Sequence, residues 1–425
     1  MKKLITLSLL LGLSAPVTAK VWQTTTQWNQ EYENLYSKWI ESPEVHKDMF
    51  VSKSSPYFGG RYDCADAAYA LRAIFASKHG LPFALKNPTG SRGRYAMFSN
   101  EVNKFDKYPA GPKRVTAFLN YISDMVGTEN LSRHDTYPIK IDSVTSGKLY
   151  TYKIRARFGS TIRHAYTIKE VNQTGTFDLI YSTQAIRKKN LPLNYRKEKP
   201  LVNLPHDVWG FRAFKWPRLL GTSPSEFPAE LNYSTEQYAM VKQMGRGFFK
   251  HVKNTLKTVD EDDSALLTRV FNNVCTEAQS RIEYVNQGYQ HHVSTGGKCM
   301  NYADYDAYST PARDKALKDA YETLWSTYLD LHRAGELYDA KVYEHVNALF
   351  WHESTTQERL YEPTREQKEA LLFACPIQYK EGTTIDLATL FTRLRRGKLS
   401  SHPNDSLEVR WGEVTGPKTR CKQWY

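Results

Sequence analysis

The stretch GGRYDCADAAYALRAIFASKHGLPF, residues 59–83, carries the clearest structural signal in the chain. From Cys64 onward its apolar residues recur at intervals of three, four and seven positions, which is the spacing of one face of an α-helix. Asp63 is a preferred residue type for a helix N-cap, and Gly80 followed by Pro82 predicts the end of the helix. We therefore predict a helix that begins at Cys64.

The position of Cys64 in the first helical turn has a chemical consequence. Unpaired backbone N–H groups and the helix dipole favour an anion there, so they lower the pKa of a thiol from its usual value of about 8.5. The same N–H groups can stabilise an oxyanion formed on an attacked carbonyl. We predict a nucleophilic cysteine. A buried structural cysteine is the alternative, because Cys64 lies on the apolar face of the helix.

A candidate base lies in a predicted antiparallel sheet. Residues 148–158 alternate between apolar and polar side chains, which is typical of a half-buried strand. The stretch HAYTIKEVNQTGTFDLIYST, residues 164–183, predicts a hairpin with its turn at residues 172–175. His164 is then the first residue of a strand, held rigidly beside other strands.

A helix that opens with cysteine and ends in HGLPF, followed by a strand that opens with HAY, resembles the papain-like superfamily. The resemblance is greatest to its transglutaminase-like and bacterial cell-wall peptidase branches, and it covers mainly residues 57–85 and 148–184. It implies a papain-like fold in which Cys64 is the nucleophile and His164 the base. It also implies that a polar residue on the next strand orients the histidine.

Asp178 is the predicted third member of the catalytic group after Cys64 and His164, because an ionised carboxylate best stabilises an imidazolium. Hairpin geometry is against this choice. A four-residue turn sets Asp178 opposite Lys169, five residues along the sheet from the level of His164. Thr183, which faces His164 in that register, and its neighbour Ser182 are the geometric alternatives.

Other histidines are weaker candidates for the base. His79 lies at the far end of the predicted helix, roughly 22 Å from the thiol, and so cannot reach it. His134 lies in a polar loop and stays an alternative base. The cysteines and histidines do not show the spacing of zinc ligands, so we expect neither a metal site nor a cofactor.

The composition limits the class of protein. The 425 residues are 40% hydrophobic, which excludes disordered, collagen-like and coiled-coil chains. Lys and Arg number 58 against 45 Asp and Glu, a formal charge of +13. Such a protein is attracted to anionic surfaces, for example a bacterial envelope. We find no motif that reads bases, and therefore expect no nucleic-acid partner.

The N-terminus predicts an export signal. Two lysines precede an apolar run over residues 5–13, and small residues precede a predicted cleavage site after Ala19. The run is shorter than the ~20 residues that a transmembrane helix needs. We expect residues 1–19 to be a signal peptide and the protein to be periplasmic or secreted by a bacterium, with an uncleaved anchor as the alternative.

Five cysteines divide into four and one. Export implies an oxidising compartment, in which cysteines tend to pair. Cys275, Cys299, Cys375 and Cys421 lie in the C-terminal half and predict two disulfides, whereas Cys64 stands alone. Of three connectivities, pairing of nearest neighbours gives Cys275–Cys299 and Cys375–Cys421.

Prolines concentrate at residues 187–230 and predict a connector between two domains. We expect an α+β domain at residues 20–205, in which a helix packs on an antiparallel sheet. A mainly α-helical domain, residues 206–425, follows it. Helical spacing dominates this second half.

Together these observations predict an exported cysteine-dependent amide hydrolase or acyltransferase. Water as the acceptor gives peptidase or amidase activity, and an amine gives transglutaminase-like cross-linking. The expected substrate is a peptide of the cell wall or a peptidoglycan-like molecule. The alternative is a non-catalytic envelope-binding protein, in which a papain-like core is a scaffold and the basic helical half binds. The oligomeric state is left open.

Overall fold

A computed structural model describes most of the chain. The described residues are 20–90, 96–155, 161–182, 190–334, 340–353 and 360–424. The predicted signal peptide, residues 1–19, lies outside them.

Among the described residues, the first half combines strands with helices and the second half is mainly helical, so the protein is α+β as predicted. The strands are β1 (Ala84–Lys86), β2 (Met97–Ser99), β3 (Thr136–Pro138), β4 (Leu149–Arg155), β5 (Thr161–Val171), β6 (Phe177–Tyr181), β7 (Asn194–Arg196), β8 (Gly210–Phe214), β9 (Ile377–Lys380) and β10 (Thr383–Ile385). The helices are α1 (Gln30–Glu41), α2 (Cys64–Lys78), α3 (Pro112–Ser123), α4 (Thr128–Asn130), α5 (Glu236–Met244), α6 (Phe248–Leu256), α7 (Asp263–Ser294), α8 (Tyr302–Tyr308), α9 (Pro311–Ala334), α10 (Ala340–Phe350), α11 (Arg365–Ala374), α12 (Leu387–Arg395) and α13 (Leu407–Arg410).

Six of these strands form one antiparallel sheet in the order β3-β8-β4-β5-β6-β7. The two other described sheets are the small hairpins β1–β2 and β9–β10. β5 is the longest strand and lies inside the sheet, between β4 and β6. It begins at Thr161, three residues before the predicted start at His164, so His164 lies within the strand and is not its first residue.

Helix α2 is enclosed on more sides than the predicted single apolar face. Every residue from Cys64 to Ala76 is buried, since its many alanines let α1, α3 and β5 pack closely around it. Two charged side chains, Asp66 and Arg72, are buried there as well. Arg72 has partners on other segments. It forms an ion pair with Glu33, and its guanidinium carbon lies 3.3 Å from the centroid of the Trp28 ring.

The hairpin β5–β6 has the predicted register at its middle and a bulge near its turn. Thr167 pairs with Ile180, as a turn at residues 172–175 requires. The register then shifts, so Asp178 pairs with Glu170 and not, as predicted, with Lys169. The bulge changes the partner of Asp178 but leaves it near the turn.

The apolar cores divide the chain later than residue 205. The first core runs from Val21 to Val252, and the second begins at Leu267. The predicted boundary is displaced because β8, which follows the proline-rich connector, inserts between β3 and β4 and is buried along its whole length. The mainly helical region therefore begins near α7.

Two disulfides join the four cysteines of the helical region, as predicted, but the nearest-neighbour pairing is wrong. Cys275 is bonded to Cys375, and Cys299 to Cys421. Cys275 lies within the 32-residue helix α7, and Cys299 lies beyond the end of that helix. A rigid helix holds these two apart, because α-helical residues rise about 1.5 Å each.

None of the described helices combines the length and the apolar character that crossing a bilayer requires.

Candidate functional site

Asp63 caps α2 and thereby determines where Cys64 lies. Its carboxylate accepts hydrogen bonds from the backbone N–H groups of Ala65 at 2.9 Å and Asp66 at 3.0 Å. The Asp66 carboxylate accepts one in return from the N–H of Asp63 at 3.0 Å, which completes a capping box. Cys64 is thus the first residue of α2, as predicted. The same bonds occupy two of the N–H groups that we expected to be available to an oxyanion.

Cys64 is the cysteine without a disulfide among the described residues, and its side chain is buried. Its Sγ lies 3.4 Å from the hydroxyl oxygen of Thr128. The backbone of Ala165 on β5 lies near enough to the sulfur to favour its thiolate form. Ala165 directly follows His164 in the sequence. The Cys64 thiol therefore lies next to β5 at the residue that follows the predicted base. A single threonine after a loop glycine has no periodicity, so the sequence did not predict the contact with Thr128.

The pKa of the Cys64 thiol is raised rather than lowered. Burial raises it to about 12, and the negative charge of Asp63 contributes to the increase. The Thr128 hydroxyl and the Ala165 backbone act in the opposite direction but are outweighed. The predicted lowering is wrong because the thiol is removed from water and because the residue that caps its helix is a carboxylate. The thiol is therefore protonated at neutral pH.

His164 lies among tyrosines on β5, an inner strand of the six-stranded sheet. It pairs with Tyr152 of β4. Its ring centroid lies 4.6 Å from that of Tyr166 and 5.3 Å from that of Tyr181, both in edge-to-face arrangements. These ring contacts hold the imidazole in place, and no carboxylate of the described residues is hydrogen-bonded to it.

Burial, together with the positive charges of Lys199 and Arg313, lowers the pKa of His164 to about 3. The imidazole is therefore neutral at neutral pH, the state that a general base needs. Within the described residues no hydrogen bond joins the His164 ring to the Cys64 sulfur. The pair thus consists of a thiol and a neutral imidazole, and not of a preformed ion pair.

Asp178 does not orient His164. Its carboxylate accepts hydrogen bonds from the backbone N–H of Glu198 at 2.9 Å, from the Asn172 side chain at 3.0 Å and from the Tyr195 hydroxyl at 2.6 Å. Its partner on β5 lies six residues beyond His164, roughly 20 Å away at about 3.3 Å per residue. Asp178 therefore ties the turn of the hairpin to β7 and to the chain that follows it.

The alternatives lie in different places. Ser182 lines the same cleft as Cys64, and its hydroxyl donates to the Tyr62 carbonyl at 2.7 Å. Thr183 lies outside the described residues. His134 does not line this cleft as far as the structure describes it. His79 caps the C-terminal end of α2, a helix length from the thiol as predicted.

Cys64 and His164 line one cleft, with a volume of about 1000 Å³, between the two apolar cores. Strands β4 and β5 and the start of α2 form one wall. Helices α7 and α9, with loop residues 399–405 and 418–423, form the other. Within the described residues, no group of three or more His, Cys, Asp or Glu side chains is arranged to hold a metal ion.

No protein-family model, curated protein or solved structure matches this chain. The papain-like superfamily therefore stays a prediction from the sequence of residues 57–85 and 148–184. The structure itself establishes an α+β protein with a helical C-terminal region and a cleft between two cores, in which a free cysteine and a histidine share one wall.

Proposed function

We propose that the protein is an exported cysteine-dependent amide hydrolase or acyltransferase that acts on peptides of the bacterial cell wall. The observation that carries the proposal is the position of the free Cys64 thiol and the His164 ring on one wall of a cleft large enough for a peptide. Substrate clefts often lie between domains. Two disulfides are typical of proteins from an oxidising compartment, which supports the proposed export.

The proposed chemistry begins from two neutral groups. The Cys64 sulfur attacks the amide carbon, while its proton passes to the imidazole of His164. The C–N bond then breaks, His164 gives the proton to the leaving amine, and a thioester remains. Water or a second amine attacks the thioester, with His164 again taking the proton of the attacking group, and restores the thiol. Because neither group is charged at rest, proton transfer accompanies the attack and does not precede it.

The hydroxyl of Thr128 is the proposed donor to the oxyanion. It lies 3.4 Å from the Cys64 sulfur, whereas the N–H groups of Ala65 and Asp66 already donate to the helix cap. Preorganised donors at this position are worth about 10²–10³ in rate in comparable enzymes. Thr128→Val is therefore expected to lower kcat more than it changes KM.

The test uses soluble peptidoglycan fragments as the substrate and mass spectrometry of the products as the readout. We expect the wild-type protein to cleave or transfer at an amide bond. Cys64→Ala and His164→Ala are expected to abolish this activity while their unfolding midpoints show that they still fold. His46→Ala, which changes an exposed histidine outside the cleft, is the matched control. Unchanged turnover by Cys64→Ala would contradict the proposal.

A second candidate is a non-catalytic envelope-binding protein with the same cleft. It is favoured by the raised pKa of the Cys64 thiol and by the engagement of Asp178 at the hairpin turn. In that case the wild-type protein binds the fragments without changing their mass, and Cys64→Ala binds them with the same affinity. Calorimetric titration of both proteins separates the two candidates.

A further inference from the structure

Cations outnumber carboxylates along the cleft. Its described lining residues include eight Lys and Arg side chains and four Asp and Glu side chains. Several of the cations lie close to the candidate catalytic pair. Lys199 and Arg313 are the charges that act on His164, and Arg196 interacts electrostatically with Tyr181, whose ring packs against His164. Four of the eight cations, Arg163, Lys199, Arg281 and Lys315, form ion pairs. The charges of Lys199 and Arg313 disfavour a positive charge on His164, and positive charges at this position attract an anion.

Arg196, at the end of β7, has a donor that the protein leaves unused. One of its terminal nitrogens donates to the hydroxyl of Ser280 on α7, which is a neutral partner. Its Nε is buried and has no hydrogen-bond partner. A buried N–H without an acceptor is unfavourable, and most such groups in folded proteins are paired. Lys199 differs, because it forms an ion pair with Glu277.

We propose that Arg196 binds a carboxylate of the substrate, so that the cleft selects acidic peptides. This inference rests on the proposed function, since it assigns the substrate class of the same site. A guanidinium recognises a carboxylate through charge-assisted N–H···O bonds. Arg196 lines the cleft, and a carboxylate bound there would give its guanidinium the anionic partner that the Ser280 hydroxyl does not provide. Arg313, whose guanidinium carbon lies 3.4 Å from the Tyr284 ring centroid, supplies a second positive charge from the opposite wall.

An acidic peptide fits this surface better than a nucleic acid does. Single-stranded nucleic acids bind along continuous basic grooves with stacking platforms, whereas four Asp and Glu side chains interrupt the basic lining of this cleft. A peptide carries its charges on separate side chains and can place one at Arg196. The Tyr166 and Tyr181 rings pack edge-to-face against each other, which is not a platform of parallel faces for bases.

The test uses full-length protein with Cys64→Ala, so that bound peptide is not turned over. Two decapeptides, alternating Gly-Glu and alternating Gly-Gln, are titrated by calorimetry at low and high salt. We expect the Gly-Glu peptide to bind about tenfold more tightly at low salt. Arg196→Gln is expected to remove this preference and to leave the affinity for the Gly-Gln peptide unchanged. Arg246→Gln, an exposed arginine outside the cleft, is the matched control.

Equal affinity for the two peptides, or the same loss in Arg196→Gln and Arg246→Gln, would overturn the inference. Arg313→Gln is the second variant if Arg196→Gln fails to fold, and it should weaken the same preference. If a single-stranded oligothymidine binds more tightly than the Gly-Glu peptide, the ligand of the cleft is a nucleic acid and not a peptide. Turnover of wall peptides without charge preference would overturn only this inference, whereas charge-selective binding without turnover would overturn only the proposed function.

Discussion

The two halves of the molecule are stabilised by different means. The first half surrounds a six-stranded sheet with one continuous apolar core, and its described cysteine is free. The second half packs long helices, notably α7 and α9, and contains both described disulfides. The sheet provides a rigid strand for His164, while the cross-linked helices provide the facing wall of the cleft. The comparison teaches that disulfides join distant segments in the half that the six-stranded sheet does not reach.

The largest effect on the stability of one half relative to the other is expected from removing the disulfide in the helical core. Cys275→Ala with Cys375→Ala opens a crosslink between residues 100 positions apart, and Cys375 is fully buried. We expect the free energy of unfolding of the helical half to fall by about 3 kcal/mol, because the unfolded chain gains freedom and the core loses contacts. Urea titration with hydrogen exchange locates the loss.

Cys299→Ala with Cys421→Ala is the matched control, since it opens a loop of similar length. Cys421 lies in the C-terminal segment, whose residues 413–418 are all exposed. We expect a smaller loss because that segment can detach without unfolding the helices. Equal losses from both pairs, or a loss that spreads equally over the sheet half, would contradict the comparison.

A buried carboxyl group in the sheet half makes the stability of that half depend on pH. Asp135 accepts hydrogen bonds from Tyr69, from Asn130 and from the backbone N–H of Lys86, and burial raises its pKa to about 7. At pH values between the ordinary pKa of Asp and about 7, Asp135 is therefore protonated in the folded protein and ionised in the unfolded chain. Stability is fully present at low pH and is lost as pH rises through 7.

Asp135→Asn removes this titration. Between pH 5 and pH 8 we expect the wild-type protein to lose on the order of 2 kcal/mol of unfolding free energy relative to Asp135→Asn. Urea denaturation of both proteins at the two pH values measures this difference. Parallel pH profiles for the two proteins would show that Asp135 is not the titrating group.

The smallest expected effect concerns the reactivity of the free thiol. Asp63→Asn keeps a side chain that caps helices well but removes the charge that raises the pKa of Cys64. Because the thiolate is the reactive form, alkylation by iodoacetamide at pH 8 should become about threefold faster or more. Thr128→Val should have the opposite effect, since its hydrogen bond lowers that pKa. Equal rates in all three proteins would contradict the stated causes of the shift.

Local features of the site were predictable from the sequence. The start of α2 follows from Asp63 and the spacing after Cys64, because a cap and a helical face involve neighbouring residues. The strands and the turn of the β5–β6 hairpin follow from alternation and from Gly175, whose φ of 77° lies in the left-handed region. These elements place Cys64 and His164 on one cleft.

Features that depend on distant segments were not predictable. The role of Asp178 changed because β7 returns beside β6 and brings Tyr195 to its carboxylate. The domain boundary moved because β8 crosses back into the sheet after the prolines. In both cases the decisive partner is supplied by a later segment of the chain, which no local pattern identifies.

By itself, the sequence determined the helix that begins at Cys64, the strand that carries His164 and the set of four cysteines that pair. Only the tertiary structure decided which cysteines bond, which charges surround Cys64 and His164, and which wall faces them. The physical reason is that caps and periodicities act over a few residues, whereas pKa values and pairings depend on burial and on charges that arrive from the rest of the chain.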